Sequence, residues 1–181
     1  MQSRHDHPSP VIDRLTQYGA LAFIALALLL LIGQLALAAV GVAPIAIVLT
    51  AITLLALLPG ALWLTTATPP VEVESDGLII APLIWPRRRV AWADVRTVIP
   101  YPLLPEPQSE RARQAMVGRR KYRPAEGMLL LIPALPWYYR FTGFFSGVGF
   151  TPAIALTNRT HRDYETLILE VRAHTIEVWR P

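Results

Sequence analysis

The stretch LTQYGALAFIALALLLLIGQLALAAVGVAPIAIVLTAITLLALLPGALWLTTATPPV, residues 15–71, runs for 57 positions without one Asp, Glu, Lys or Arg. A bilayer core about 30 Å thick is crossed by a helix of roughly 20 apolar residues, so this run is long enough to cross twice. Gly41, Val42, Ala43 and Pro44 are its weakest helical positions, because Gly closes a helix well and Pro cannot continue one. The stretch therefore predicts a two-helix transmembrane hairpin over 17–67 with its turn at 41–44, helix one over 17–40 and helix two over about 44–67. Its length and repetition, with no small-residue cleavage site before a polar chain, argue against a signal peptide. They argue equally against a buried hairpin in a soluble domain.

The remaining sequence fits around that hairpin. Residues 1–16 read as a cytosolic tail, polar and unstructured until near Val11, and 71–181 supply one domain of about 110 residues. Arg14 and Arg87, Arg88 and Arg89 are the cations nearest the spans, which places both termini on the cytoplasmic side of a multi-pass cell-membrane protein. The chain has no Cys, so disulfides and thiolate metal sites are excluded. His5 and His7 form an H-x-H pair, but with no ligand cluster near them they read as part of a solvated tail.

Deep inside the hairpin the strongly polar side chain is Gln34. Folding the run about 42–43 sets Gln34 level with Ala51, so a hydrogen bond to Thr50 or Thr53 is expected as interhelical glue. No Asp, Glu, Lys, Arg or His lies in the spans to serve as a proton relay or charged gate. Pro59 and Gly60 are expected to kink helix two near its inner end, and Trp63 stands where an interfacial anchor belongs.

Beyond Thr68, Pro69 and Pro70 the period changes to that of strands. Val71–Glu74 alternates apolar and acidic residues, Asp76-Gly77 is a tight-turn dipeptide, and Leu78–Trp85 is an apolar run, which together predict a hairpin. Further strands are expected at 88–92, 96–101, 127–132 and 153–157. Tyr164, Leu167, Ile168 and Val171 repeat at helical spacing, with Thr160 and Asp163 placed as an N-cap and its acid three residues on.

Two segments carry candidate contacts. In the Pro-rich, basic insert 100–124, Arg111, Arg113, Arg119, Arg120, Lys121 and Arg123 fall within thirteen residues that hold no acid. Anionic lipid attracts such a segment by about 1 kcal/mol per basic residue near the surface. A membrane tether makes headgroups a nearer polyanion than nucleic acid, and a solvated loop is the other reading. The aromatic segment 136–150 reads either as an interfacial tip at Phe144 and Phe145 or as a twisted β-hairpin whose rings fill the core.

Two transmembrane helices followed by VEVESDGLII (71–80), the Arg88-x-Val90-x-Trp92-x-Asp94-Val95 element and the closing IALTNR (154–159) before a helix resemble the bacterial pleckstrin-homology-like membrane proteins. The resemblance covers about 71–175 and is one of pattern. It implies an α+β membrane protein: the hairpin, then a seven-stranded, bent antiparallel β-barrel or sandwich capped by a C-terminal helix, with a role in binding or assembly. The insert 100–124 is longer than that pattern, and no ligand residues carry over.

The expected function is a non-enzymatic, membrane-anchored binding or scaffolding module that contacts anionic lipid headgroups or an acidic protein partner. The alternative is an accessory or assembly subunit of a larger membrane complex, joined to a membrane protein partner or to copies of itself. Asp94, Asp163, His161 and His174 are the candidates an enzyme would need, and they form no recognisable acid–base or metal-ligand constellation. No phosphate-cradling or dinucleotide-binding glycine pattern is present, so neither catalytic residue, cofactor nor metal is expected. Asn158-Arg159-Thr160 matches a glycosylation acceptor that a cytosolic position would leave silent.

Overall fold

A computed structural model of the chain describes residues 3–41, 45–104, 106, 108–109, 111–112, 115 and 123–175. The charge-free run folds as two long helices packed side by side, α1 (Pro10–Ala39) and α2 (Ile45–Thr66). At 1.5 Å per residue they measure about 45 and 33 Å, each long enough to cross a bilayer core. Their apolar windows are only 11% and 6% buried, whereas a core helix of a soluble protein would be mostly covered.

α1 starts at Pro10, well before the expected residue 17. Proline's fixed φ suits the first helical position, and Asp13 in the first turn opposes the helix dipole while its N–H donates to the Ser9 carbonyl. The helix closes at Gly41, whose φ of +80° few side chains tolerate; the rest of the expected turn, 42–44, lies outside the described residues. α2 continues through Pro59 to Thr66.

Two antiparallel sheets follow. One has the order β1 (Ser3–His5), β2 (Val71–Glu74), β3 (Gly77–Ile80), β4 (Arg88–Ala91); the other has the order β5 (Thr97–Pro100), β6 (Gly127–Leu131), β7 (Ala153–Thr157). They do not close into a barrel, so that part of the expectation is corrected. Seven strands are present among the described residues, but one comes from the N-terminal tail, ahead of both helices. Ser3, Arg4 and His5 pair with Val73, Glu72 and Val71, so the tail is not a solvated leader. It brings Arg4 within 3.5 Å of Glu72, a buried carboxylate that Arg87 also approaches at 3.9 Å.

The inner faces of both sheets share one core. Val71, Val73, Leu78 and Ile80 meet Val98, Leu130, Ile154 and Leu156, and the closing helix α4 (Tyr164–Thr175) adds Leu167 and Val171. The α4 segment thus buries the apolar stripe its spacing predicts. Its expected N-cap is not formed: the Thr160 hydroxyl lies 2.7 Å from that of Thr157, and Asp163 adopts a left-handed φ of 51° just before the helix.

The aromatic segment is not a β-hairpin. Trp137–Tyr139 makes a 3-10 turn and Arg140–Phe145 a short helix, α3. Helix α3 reaches close to the following loop because Gly143 has no side chain: a Cβ there would stand 1.9 Å from the Thr151 carbonyl oxygen.

Candidate membrane-facing collar

The helical hairpin and the β-domain are joined by more than the four residues 67–70. On the α1 side, Gln17 is buried; its Nε2 donates to Asp13 at 2.8 Å and its Oε1 accepts the Leu83 N–H at 3.2 Å. On the α2 side, the Trp85 indole N–H donates to the Thr65 hydroxyl at 3.0 Å, and its ring stacks on Tyr138 with centroids 4.1 Å apart. The Thr66 and Thr142 hydroxyls are 3.2 Å apart in a buried contact between α2 and α3. Just past α2, the Ala67 carbonyl accepts the Ala155 N–H at 2.7 Å and the Pro69 carbonyl lies 3.0 Å from His161 Nε2. These contacts form a collar around the start of α1 and the end of α2.

Each partner has a local reason to be available. Thr65 and Thr66 are the last two residues of α2, where their hydroxyls also reach back to the Leu62 carbonyl. Trp85 follows β3 in an irregular segment, free of the sheet's alternation, so its ring can turn toward the helix.

The collar divides the aromatic segment. Tyr138 and Tyr139 are buried within it, while Trp137, Phe144, Phe145 and Phe150 leave large parts of their rings exposed. Phe145 lies 5.5 Å from Trp63 of α2, and Phe144 lies 5.1 Å from Phe150, so the exposed rings form a cluster beside the helix base. Two rings of the segment thus join the core and four stay at the surface, Phe144 and Phe145 among the latter. Burial pushes the Tyr139 phenol above its ordinary pKa; neighbouring Tyr138 adds to this and Arg88 opposes it.

The described ends of the basic insert sit elsewhere. The insert leaves and re-enters the three-stranded sheet beside the Pro100–Met128 pair, whereas α3 feeds the other end at Ala153. Met128 and Leu131, the partner of Ala153, are three residues apart, so at about 3.3 Å per residue those ends are about 10 Å apart along the strands. Arg111 and Arg123 are exposed; the Arg123 carbonyl accepts from Arg159 at 2.7 Å, and its guanidinium stands 3.9 Å from Glu165. Arg113, Arg119, Arg120 and Lys121 lie outside the described residues.

Other expected contacts are rearranged. Gln34 Oε1 is buried without a hydrogen-bond partner, so it accepts from neither Thr50 nor Thr53; Thr53 donates instead to the Leu49 carbonyl one turn back, at 2.9 Å. His5 is buried, with Nδ1 3.1 Å from the Arg162 carbonyl, and Ser3 beside it donates to Glu170 on α4. His7 Nδ1 accepts the Ser9 N–H at 3.0 Å.

The residues weighed for catalysis are dispersed. Asp94 is exposed on the turn Trp92–Asp94, and Asp163 is exposed ahead of α4. His174 stacks on Trp92 at 4.8 Å. His161 is buried, and loss of hydration drives its pKa down to about 4, against hydrogen bonds to Pro69 and Thr157 that favour the charged form. Among the described residues no three metal-ligating side chains cluster.

Sequence reasoning did not find Gln17, Trp85 or Thr142. The available signal was Gln17 itself, a polar residue in a charge-free run and one turn from Asp13. No protein-family model matches the chain, and no curated protein or solved structure is significantly similar to it.

Proposed function

We propose that this chain is a membrane-anchored binding and assembly module that performs no chemistry. Its hairpin crosses the membrane twice, both termini stay in the cytoplasm, and its pleckstrin-homology-like domain is held against the inner surface. The observation that carries this reading is the collar. Two helices with exposed apolar surfaces are tied to the β-domain through Gln17–Leu83, Thr65–Trp85, Thr66–Thr142 and Ala67–Ala155. A domain so tied presents a fixed face to the bilayer, bearing Phe144 and Phe145. The insert, with Arg111, Arg113, Arg119, Arg120, Lys121 and Arg123, then contacts anionic headgroups or an acidic protein face.

The full chain in nanodiscs tests this, because a fragment beginning at residue 70 would lack β1 and half of the collar. Hydrogen exchange over 111–123 is expected to slow in anionic discs relative to neutral ones. The slowing should fade with salt and with Arg119, Arg120 and Lys121 changed to Ala. Equal exchange in both discs would remove the headgroup contact and leave the protein partner. Spanning is tested separately: the chain lacks Cys, so Val42→Cys should react with an impermeant maleimide on intact cells and Ser109→Cys only after permeabilisation.

The unpaired Gln34 Oε1 favours a second reading, an accessory subunit whose hairpin packs against the helices of a larger complex. A discrete large species on native gels after mild detergent extraction would select it.

A further inference from the structure

The hairpin is notched just above the collar. A cavity of about 530 Å³ opens between the helices, lined by Gly19, Ala20 and Phe23 of α1, Gly60 and Trp63 of α2, and Phe145 of α3. Small residues usually let two membrane helices close on each other. Here they do the reverse: a Cβ at Gly19 or Gly60 would meet nothing within 4 Å, so the glycines leave a cleft open.

The wall also carries an unmet donor. The Trp63 indole N–H is buried without a hydrogen-bond partner, three residues before the last residue of α2. That level is where a bilayer passes from acyl chains to headgroups, and where Trp is favoured because its ring is apolar and its N–H needs an acceptor. A phospholipid supplies both matching parts: an acyl chain for the cleft and an ester carbonyl for the indole N–H, which a small turn of the Trp63 ring brings from its covered position to the cleft wall. A helix from a second copy fits less well, since one turn of a cylinder about 10 Å across and 5.4 Å high already fills about 420 Å³.

We propose that this cleft binds one phospholipid, with an acyl chain lying along Gly19 and Gly60 and its ester carbonyl accepting from Trp63 Nε1. The assignment rests on the membrane-spanning reading above. It adds a structural lipid at the junction of hairpin and collar, distinct from any headgroup contact made by the basic insert.

Native mass spectrometry of the full chain, extracted in mild detergent, tests it. One phospholipid mass per chain should survive activation that strips the detergent. Gly19→Leu and Gly60→Leu place a side chain in open space, so they should fold and lower the retained fraction about ten-fold. Trp63→Phe keeps a ring against Phe145 and removes the N–H, which should lower retention by about three- to ten-fold, the worth of one hydrogen bond. Equal retention in the two leucine variants overturns the site, as does their loss of a dimer peak in place of a lipid peak. Retention in Trp63→Phe equal to that of the parent overturns the carbonyl assignment. Release of the unaltered chain from membranes by alkaline carbonate would instead refute the spans, so the two failures are distinguishable.

Discussion

Acidification is expected to weaken the seam between the linker after α2 and the β-domain, through His161. This imidazole is 2% exposed, with Nδ1 accepting the Thr157 N–H at 3.2 Å and Nε2 placed 3.0 Å from the Pro69 carbonyl. Those partners assign the neutral tautomer with its proton on Nε2. A second proton would charge a group cut off from water and cost Nδ1 its bond from the Thr157 N–H, for which the Thr157 carbonyl at 3.3 Å compensates only in part. Burial is the largest cause that holds its pKa at about 4 rather than 6.5, and the charges of His5 and His7 act in the same direction.

Because the folded pKa is the lower one, the unfolded chain takes up the proton first. Between pH 6.5 and about 4 the unfolded state binds more protons, so stability is full above that window and falls as pH drops through it. The whole interval corresponds to about 3 kcal/mol, of which about 2 kcal/mol is gone by pH 4.5. Thermal melts of the full chain in detergent, followed by tryptophan fluorescence from pH 7.5 to 4.5, should be compared with His161→Gln. That variant keeps a donor for Pro69 and does not titrate. The parent should lose about 2 kcal/mol more than the variant, a difference of roughly 5 °C in Tm at this chain length. Parallel pH dependences would refute the assignment of a buried, neutral imidazole.

Gly143→Ala forces a Cβ against the Thr151 carbonyl, so it should destabilise the chain by about 2 kcal/mol or more and loosen α3 from Thr66; an unchanged melt would contradict the close approach. Trp85→Phe preserves a ring on Tyr138 but deletes the bond to Thr65, with an expected cost of about 1 kcal/mol in the same assay. Removing residues 1–6 strips β1 from β2, and hydrogen exchange at Val71–Val73 should then accelerate; protection equal to that of the full chain would show that β1 does not cover that edge.

Much of this fold can be read from local pattern. A run as long and charge-free as 15–71 allows little besides helices, because a helix satisfies its own backbone and so needs neither water nor a neighbouring strand. Asp76-Gly77 marks the β2–β3 hairpin, 153–157 reads as a strand, and Tyr164, Leu167 and Val171 mark the buried stripe of α4. The aromatic segment was less legible, since rings are equally at home in a core, a short helix or an interface. Its short helix packs against the loop that follows at Gly143, a close approach that no local pattern announces.

The collar was not legible from the sequence. Gln17, Trp85 and Thr142 are ordinary residues until the chain brings 17 to 83, 85 to 65 and 142 to 66. The same holds for Ser3–His5, which carry no strand pattern and become a strand because β2 offers an unpaired edge. By itself the sequence determined two apolar helices, a β-rich domain after them and a closing amphipathic helix, because periodicity and hydrophobic length act within one segment. Only the tertiary structure decided that the tail joins the sheet, that the sheets stay separate and that the helices are tied to the domain. Those outcomes depend on which unpaired edge or polar group lies within about 3 Å of another, a distance that no local pattern encodes.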